Sequence, residues 1–194
     1  MLSERFTEAL TYATQLHSNQ TRKGSGVPYI AHLLGVTSIV LENGGNEDEA
    51  IAALLHDAIE DQGGAATREE IRRRFGDTVT KIVDSCTDAE TIPKPPWRQR
   101  KEDYIAHIPT ASPSVLLVSC ADKLYNARSI LNDYRVVGEL VWERFYGGKE
   151  GSLWYYRAVL EAFRKTGLTP LIAELERVVS ELEHLVSKSV KFRQ

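Results

Sequence analysis

The stretch IAALLHDAIEDQGG, residues 51–64, decides the fold prediction because an apolar half runs into an acidic half with no helix-breaking residue before its two final glycines. Asn46 and Glu49 precede this segment and lie three residues apart, as in the capping box that opens many helices. We therefore predict a helix that begins at Asn46 and ends at Gly63 and Gly64.

Helical spacing of apolar residues recurs along the rest of the chain, whereas alternating, strand-like runs are absent from the sequence. The sequence thus predicts an all-α protein. A helix that carries His32 is expected to begin at Pro28, a favoured residue in a first turn, and to stop at Gly44 and Gly45. A basic loop, QTRKGSG, leads into this helix.

The length of the chain, 194 residues, fits a single domain over residues 1–194. The segments that carry chemistry fall within about residues 5–132, and a helical C-terminal part with two closing helices is expected over 152–188. Signals conflict in residues 133–151, where GGKEG is typical of a mobile connection, and no element is assigned there.

Composition excludes several classes of protein. Hydrophobic residues make up 42% and charged residues 26%, as in ordinary globular proteins, and the net charge of −3 argues against a nucleic-acid binder. No apolar run approaches the roughly 18 residues that cross a bilayer, and the N-terminal residues do not resemble a secretory signal. We therefore expect a cytoplasmic protein with no membrane partner. The sequence leaves the oligomeric state open.

The acidic half of the opening segment gathers one imidazole and three carboxylates. In a helix, Glu60 lies one turn beyond His56, and Asp61 lies one turn beyond Asp57. These carboxylates would repel one another and raise at least one carboxyl pKa unless a cation were bound. The alternative for Glu60 and Asp61 is a solvated acidic helix end.

Asp122 lies in SVLLVSCADKLYNARSIL, a segment apolar enough to be a core helix. Carboxylates are rarely buried unless they are paired or bound to a metal, so Asp122 is a candidate metal ligand. The alternative is a buried salt bridge with Lys123 or Arg128. A single histidine such as His32 is more often a core residue than a ligand, and its candidacy depends on the other three residues.

The candidate ligands are two imidazoles and two carboxylates, a donor set that suits Mn²⁺, Fe²⁺ or Zn²⁺ better than Mg²⁺ or Ca²⁺. The other three histidines show no helical pairing with these positions, so one metal ion is expected. The candidates for its ligands are His32, His56, Asp57 and Asp122.

Three blocks, HSNQTRKGSGVPYIAH, ALLHDAIED and ADKLYNAR, follow one another in this order. Together they resemble the HD-type hydrolase domain of the RelA/SpoT alarmone enzymes, and in particular the small alarmone hydrolases, Mesh-type enzymes that stand alone. The resemblance implies a helical HD-domain bundle. It also implies that the four candidate ligands hold a metal, usually Mn²⁺, and that Glu60 and Asp61 are catalytic residues that activate or orient water.

The same resemblance implies a set of substrate contacts. Arg22 falls where the family contacts the base, Lys23 lies near a phosphate, and Asn126 matches a residue near the ribose and 3′-phosphate. Lys94 and Lys101 are candidates for contacts to the 5′-diphosphate, although the segment WRQRK is equally typical of a solvated helix face.

The implied activity is metal-dependent hydrolysis of guanosine 3′,5′-bis(diphosphate), or of the pentaphosphate, to GDP or GTP and pyrophosphate, which ends the stringent-response signal. One alternative is a nucleotide phosphatase of the same fold that acts on adenosine alarmones or NADPH. Another is a non-catalytic alarmone-binding module. Leu33 stands where the family commonly has proline, and 133–151 matches no family segment, so the preference for guanosine stays open.

Overall fold

The computed structural model describes residues 1–87, 93–167 and 169–191, with side chains up to residue 188. Within these ranges the chain is helical, and its only β pairing is an isolated antiparallel bridge between Thr21 and Pro28. The all-α prediction is confirmed. The helices are α1 (Glu4–Leu16), α2 (Ile30–Glu42), α3 (Glu47–Leu55), α4 (Ala58–Asp61), α5 (Ala65–Cys86), α6 (Trp97–His107), α7 (Pro113–Val137), α8 (Gly148–Arg164) and α9 (Pro170–Lys191), with 3₁₀ turns at Ile108–Thr110 and Gly138–Arg144.

Contacts between residues divide the chain into two compact units. The first comprises Met1–Pro96 and Thr110–Asp122, and the second comprises Trp97–Pro109 and Lys123–Gln194. Helix α7 contributes to both, because the division falls inside it. The expectation of a single domain over 1–194 stays a prediction.

Helix α3 forms the centre of the first unit, where it packs against α1, α2 and α5. Its residues from Ala50 to Leu55 have no solvent exposure, so this part of the helix is apolar on every side and not on one stripe. Burial of a leucine such as Leu54 contributes about 1.5–3 kcal/mol to folding. The apolar half of the opening segment therefore fixes α3 in place and holds the residues that follow it.

The capping box predicted at the start of α3 is present. The Asn46 side chain accepts a hydrogen bond from the backbone N–H of Glu49 at 3.1 Å, and the Glu49 carboxylate accepts one from the backbone N–H of Asn46 at 2.7 Å. Acidic residues fill the first turn, where the helix dipole favours negative charge.

We expect Asn46→Ala to lower the free energy of unfolding by about 1 kcal/mol, because the N–H of Glu49 loses its acceptor. Asn46→Asp is the matched control, since aspartate caps a helix as well as asparagine does. Urea unfolding of the three proteins measures the difference. Equal losses in the alanine and aspartate variants would contradict a capping role.

The helix predicted from Asn46 to the glycines is interrupted at His56 and Asp57, where α3 gives way to the short helix α4. His56 Nδ1 lies 2.8 Å from the carbonyl oxygen of Ala53, which would accept the N–H of Asp57 in an uninterrupted helix. The side chain therefore takes the place of a backbone donor, and the break falls at two predicted ligands.

Helix α2 begins at Ile30, two residues later than predicted. Pro28 pairs with Thr21 in the antiparallel bridge, and the N–H of Tyr29 donates to the carbonyl of Gln20 at 2.9 Å. The proline thus closes the basic loop, and the helix starts after it.

The second unit contains α6, α8, α9 and the later part of α7. Here the segment 133–151 consists of the end of α7, a 3₁₀ turn and the first turn of α8, so the expected mobile connection at GGKEG is wrong. Gly148 has a φ of 58°, which glycine adopts readily, and an added Cβ at Gly147 would lie 2.6 Å from the Trp97 ring. The two glycines are needed for this close helix start.

One part of the segment 133–151 is held by an ion pair. The Glu139 carboxylate accepts hydrogen bonds from Lys149 Nζ and from the Tyr134 hydroxyl, both at 2.9 Å. These bonds tie the 3₁₀ turn to the helices on either side of it.

Among the described residues, no helix combines the length and the apolar character needed to span a membrane.

Candidate metal centre

Four side chains of the first unit bring nitrogen and oxygen donors to one point. His32 Nε2 and His56 Nε2 lie 3.2 Å apart, and Asp57 Oδ2 lies 3.4 Å from the first and 3.1 Å from the second. Asp122 Oδ1 lies 3.3 Å and 3.5 Å from the same two nitrogens. The structure thus brings together all four residues that the sequence predicted as ligands.

Three separate segments supply these donors. His32 lies in the first turn of α2, His56 and Asp57 form the junction between α3 and α4, and Asp122 lies in α7. His32 and His56 are almost completely buried, at 1% and 3% exposure, and Asp122 is 7% exposed. The apolar helices around them therefore fix the donors with little contact with water.

Groups next to the donors orient them. Because His56 Nδ1 is directed at the Ala53 carbonyl, that nitrogen carries the proton and Nε2 presents its lone pair to the centre. The Tyr29 hydroxyl donates to Asp57 Oδ2 at 2.6 Å. Sequence reasoning missed Tyr29, although its position three residues before His32 was a signal that the two lie close together.

Opposite charges hold the Asp57 carboxylate in its ionised form. Burial alone would raise the pKa of the Asp57 carboxyl, but the adjacent imidazoles of His56 and His32 outweigh it and hold that pKa well below its usual range. Burial, followed by the charge of Asp57, raises the pKa of the Tyr29 hydroxyl, which therefore stays a hydrogen-bond donor. Asp57 is thus available as an anionic ligand.

The donor set fits a divalent cation. Two carboxylate oxygens and two imidazole nitrogens converge in a largely buried position, where unpaired charges would be costly. The donor atoms of His32, His56 and Asp57 all lie within 4.8 Å of one another. Mixed nitrogen and oxygen ligation favours a first-row transition metal.

The two cations considered as salt-bridge partners of Asp122 contact other groups. Arg128 pairs with Glu174 at 3.0 Å, and Lys123 Nζ lies 4.6 Å from the centre of the Tyr104 ring. Both interactions lie within the second unit. The contacts described above for Asp122 are with the imidazoles of His32 and His56.

The predicted acidic pair, Glu60 and Asp61, lies in α4, directly after the candidate ligands His56 and Asp57. Glu60 Oε1 lies 2.6 Å from Lys94 Nζ, so the lysine predicted to contact the substrate forms an ion pair with a predicted catalytic residue. Both side chains are partly exposed, and the pair is therefore open to exchange with a charged ligand.

Asp61 is an exposed residue, unlike the partly buried Glu60, and its carboxyl group has a different environment. Burial raises the pKa of its carboxyl, the negative charge of Asp57 adds to this effect, and a hydrogen bond from Gln20 at 2.8 Å opposes it. A carboxylate with a raised pKa accepts a proton more readily, which is the property required of a general base near neutral pH.

The basic loop lies beside the ligands. The N–H of Arg22 donates to the carbonyl of Val27 at 2.8 Å, which closes the loop, and the Arg22 guanidinium lies 5.7 Å from the centre of the Tyr29 ring. Since Tyr29 also bonds to Asp57, Arg22 is separated from the candidate metal centre by one aromatic side chain. Lys23 is exposed on the same loop.

Two predicted substrate contacts, Lys101 and Asn126, belong to the second unit. Lys101 lies in α6 with its Nζ 5.2 Å from the centre of the Tyr155 ring, and Asn126 lies in α7. Their roles toward a nucleotide stay predictions.

Comparisons with known proteins agree with this geometry. A family model described as the HD domain matches residues 9–145. A protein of Xenopus tropicalis named guanosine-3′,5′-bis(diphosphate) 3′-pyrophosphohydrolase MESH1 is 44% identical over 126 residues, which cover 63% of this chain and 68% of that protein. The human protein of the same name is 40% identical over 126 residues, with the same two shares covered.

A solved structure described as a metazoan ortholog of SpoT that hydrolyzes ppGpp is similar in fold. It has a TM-score of 0.77 and 26% sequence identity, and the match covers 93% of this chain and 97% of that one. The family model spans well over half of the residues of this chain, including the three blocks that carry the resemblance. The chain belongs to the HD domain family.

Proposed function

We propose that this protein hydrolyses guanosine 3′,5′-bis(diphosphate) at the 3′ position and releases GDP and pyrophosphate, with GTP formed from the pentaphosphate. The observation that carries the proposal is the convergence of His32, His56, Asp57 and Asp122 beside an acidic pair and a basic loop. Relatives that are 40–44% identical are named for this activity, which supports the proposal.

We propose Mn²⁺ as the native metal, held by the four candidate ligands, while Fe²⁺ and Zn²⁺ suit the same donors. When bound, a divalent ion lowers the pKa of water and stabilises the charge that develops on the phosphate. Asp57 and Asp122 supply the negative charge for the cation, and His56 is oriented for ligation by the carbonyl of Ala53.

Glu60 and Asp61 take or direct the proton of the attacking water in this proposal. Asp61 is suited to accept the proton because burial and Asp57 raise its pKa. Glu60 forms an ion pair with Lys94, the lysine predicted to contact the 5′-diphosphate. When the substrate enters, its phosphates compete with Glu60 for this lysine.

The guanine base and the remaining phosphates require local cations because the protein as a whole has a net charge of −3. We assign the base to Arg22, whose planar guanidinium stacks on aromatic rings, and a phosphate to Lys23, which provides a compact point charge. The proposed substrate contacts also include Lys94, Lys101 and Asn126.

A cytoplasmic location also stays a prediction.

The activity is tested with purified, Mn²⁺-loaded protein and a panel of nucleotides. The panel contains the guanosine and adenosine alarmones, NADPH and simple nucleoside di- and triphosphates, and the rate with each is measured over a range of concentrations. The proposal predicts the highest kcat/KM for guanosine 3′,5′-bis(diphosphate). A higher value for NADPH or an adenosine alarmone would favour the phosphatase alternative, and binding without turnover would favour a non-catalytic module.

We expect Arg22→Ala to raise the KM for guanosine 3′,5′-bis(diphosphate) by about tenfold, since loss of a stacking contact of about 1–2 kcal/mol weakens binding. Metal content should stay normal because Arg22 is not one of the candidate ligands. Arg22→Lys keeps the charge but loses the planar group, so its KM should lie between the wild-type value and that of Arg22→Ala. A saturation curve for each variant measures KM, and unchanged values would exclude the contact to the base.

A further inference from the structure

The side chain of Gln20 lies between the basic loop and the acidic pair. Its Nε2 donates to Asp61 Oδ2 at 2.8 Å, while its Oε1 lies 2.6 Å from His17 Nδ1 and accepts from Gln62 Nε2, also at 2.6 Å. Both the nitrogen and the oxygen of the carboxamide are thus hydrogen-bonded, and the nitrogen bonds to a predicted catalytic carboxylate.

The Asp61 carboxylate fixes the orientation of the Gln20 carboxamide. An ionised Asp61 carboxylate only accepts hydrogen bonds, so Nε2 of Gln20 must face it, and Oε1 must face His17. His17 therefore carries its proton on Nδ1. Sequence reasoning found no role for His17, because the residue has no helical pairing with the ligands.

The surroundings of His17 restrict its movement. The imidazole is 2% exposed and stacks on the Tyr29 ring, with centroids 5.2 Å apart and an angle of 15° between the planes. Tyr29 in turn donates to Asp57. Tyr29 therefore connects His17, which orients Gln20, to Asp57 of the candidate metal centre.

The backbone of Gln20 is also fixed. Its N–H donates to the carbonyl of His17 at 3.0 Å, and its carbonyl accepts the N–H of Tyr29 at 2.9 Å. Rotation of the carboxamide away from Asp61 would leave the partners on its other side without their acceptor. Such a group is suited to hold a carboxylate in one orientation.

We propose that Gln20, held by His17, is a positioning residue that orients Asp61 for proton transfer. The proposal rests on the proposed function, because it assumes that Asp61 handles the proton of the attacking water. Gln20 itself acts through Asp61 and does not touch the reacting atoms. Correct placement of a catalytic group matters because a shift of about 1 Å costs roughly 100-fold in rate.

The first test compares Gln20→Leu with Gln15→Leu, the same change at an exposed position of α1. Gln20→Leu is expected to lower kcat by roughly 10- to 100-fold, with metal content and KM near the wild-type values, whereas Gln15→Leu changes neither constant. A loss confined to KM, or a loss of metal, would overturn the positioning role.

A double-mutant cycle with Asp61→Asn separates positioning from a general structural effect. If Gln20 acts through Asp61, adding Gln20→Leu to Asp61→Asn lowers kcat no further. An equal additional loss in the Asp61→Asn background would overturn the proposal. A wild-type protein without turnover would instead reject the proposed function, and this outcome is seen before any variant is compared.

A measurement that needs no activity keeps the proposal testable if Gln20→Leu does not fold. The side-chain amide of Gln20 is observed by ¹⁵N-edited NMR in the wild-type protein and in Asp61→Asn. A large change in its proton shift, with the amide of Gln15 unchanged, supports the hydrogen bond. An unchanged Gln20 amide would overturn it.

Discussion

Asp122→Ala is expected to lose bound metal and turnover together. Asp122 Oδ1 lies within 3.5 Å of both imidazole nitrogens, so its removal leaves a cation one ligand short and leaves less negative charge to hold it. Changes to groups behind the ligands already cost about 10- to 100-fold in metal affinity, and loss of a direct ligand should exceed this.

Metal content measured after gel filtration, together with turnover, tests this expectation. Asp103→Ala is the matched control because Asp103 is an exposed carboxylate on α6, and its removal should change neither quantity. Thermal unfolding of the metal-depleted proteins checks that Asp122→Ala still folds. A folded Asp122→Ala protein with full metal content and normal turnover would show that the ligand assignment is wrong.

Replacement of Glu60 by Gln together with Asp61 by Asn should lower kcat by about 100- to 10,000-fold and leave metal binding in place. The amides keep the size of the side chains but cannot take a proton from water. Lys94 loses its charged partner in this variant, so the affinity for the anionic substrate should not fall.

Single-turnover rates and metal content of the double variant distinguish three outcomes. A strong loss of rate with normal metal content supports the proton-handling role. An unchanged rate would remove both residues from the mechanism, and a loss of metal would place them among the ligands. The two single variants then show which carboxylate contributes more.

Three of the four candidate ligands were predictable because each of them conflicts with its own sequence context. Asp122 is a carboxylate in an apolar helix, and His56 and Asp57 follow the buried segment of α3. Charged groups in such places need partners, so local sequence was enough to select them. The order of the three blocks supplied the fourth ligand, His32.

The supporting hydrogen bonds could not be predicted in the same way. Gln20 and Asp61 are separated by 41 residues, and Tyr29 and Asp57 by 28, so these contacts exist only once α2, α3 and α4 have packed. The break at His56 was also missed, because helical periodicity does not show that the His56 side chain turns toward the carbonyl of Ala53. Helical periodicity predicted a continuous helix there.

Residues 133–151 were unassigned for a different reason. Glycine pairs such as Gly147 and Gly148 are typical of loops, yet here one glycine makes room for Trp97 and the other starts α8. The contact with the tryptophan joins positions 50 residues apart in sequence, so local propensity favoured the wrong structure.

The products formed from guanosine 3′,5′-bis(diphosphate) test the central claim most directly. Mn²⁺-loaded protein is incubated with this nucleotide, and the products are separated by anion exchange, with the Asp122→Ala protein as the inactive control. The proposed function predicts one pyrophosphate for each GDP, with no orthophosphate beyond that of the control. Orthophosphate as the main product would contradict the assignment as a 3′-pyrophosphohydrolase.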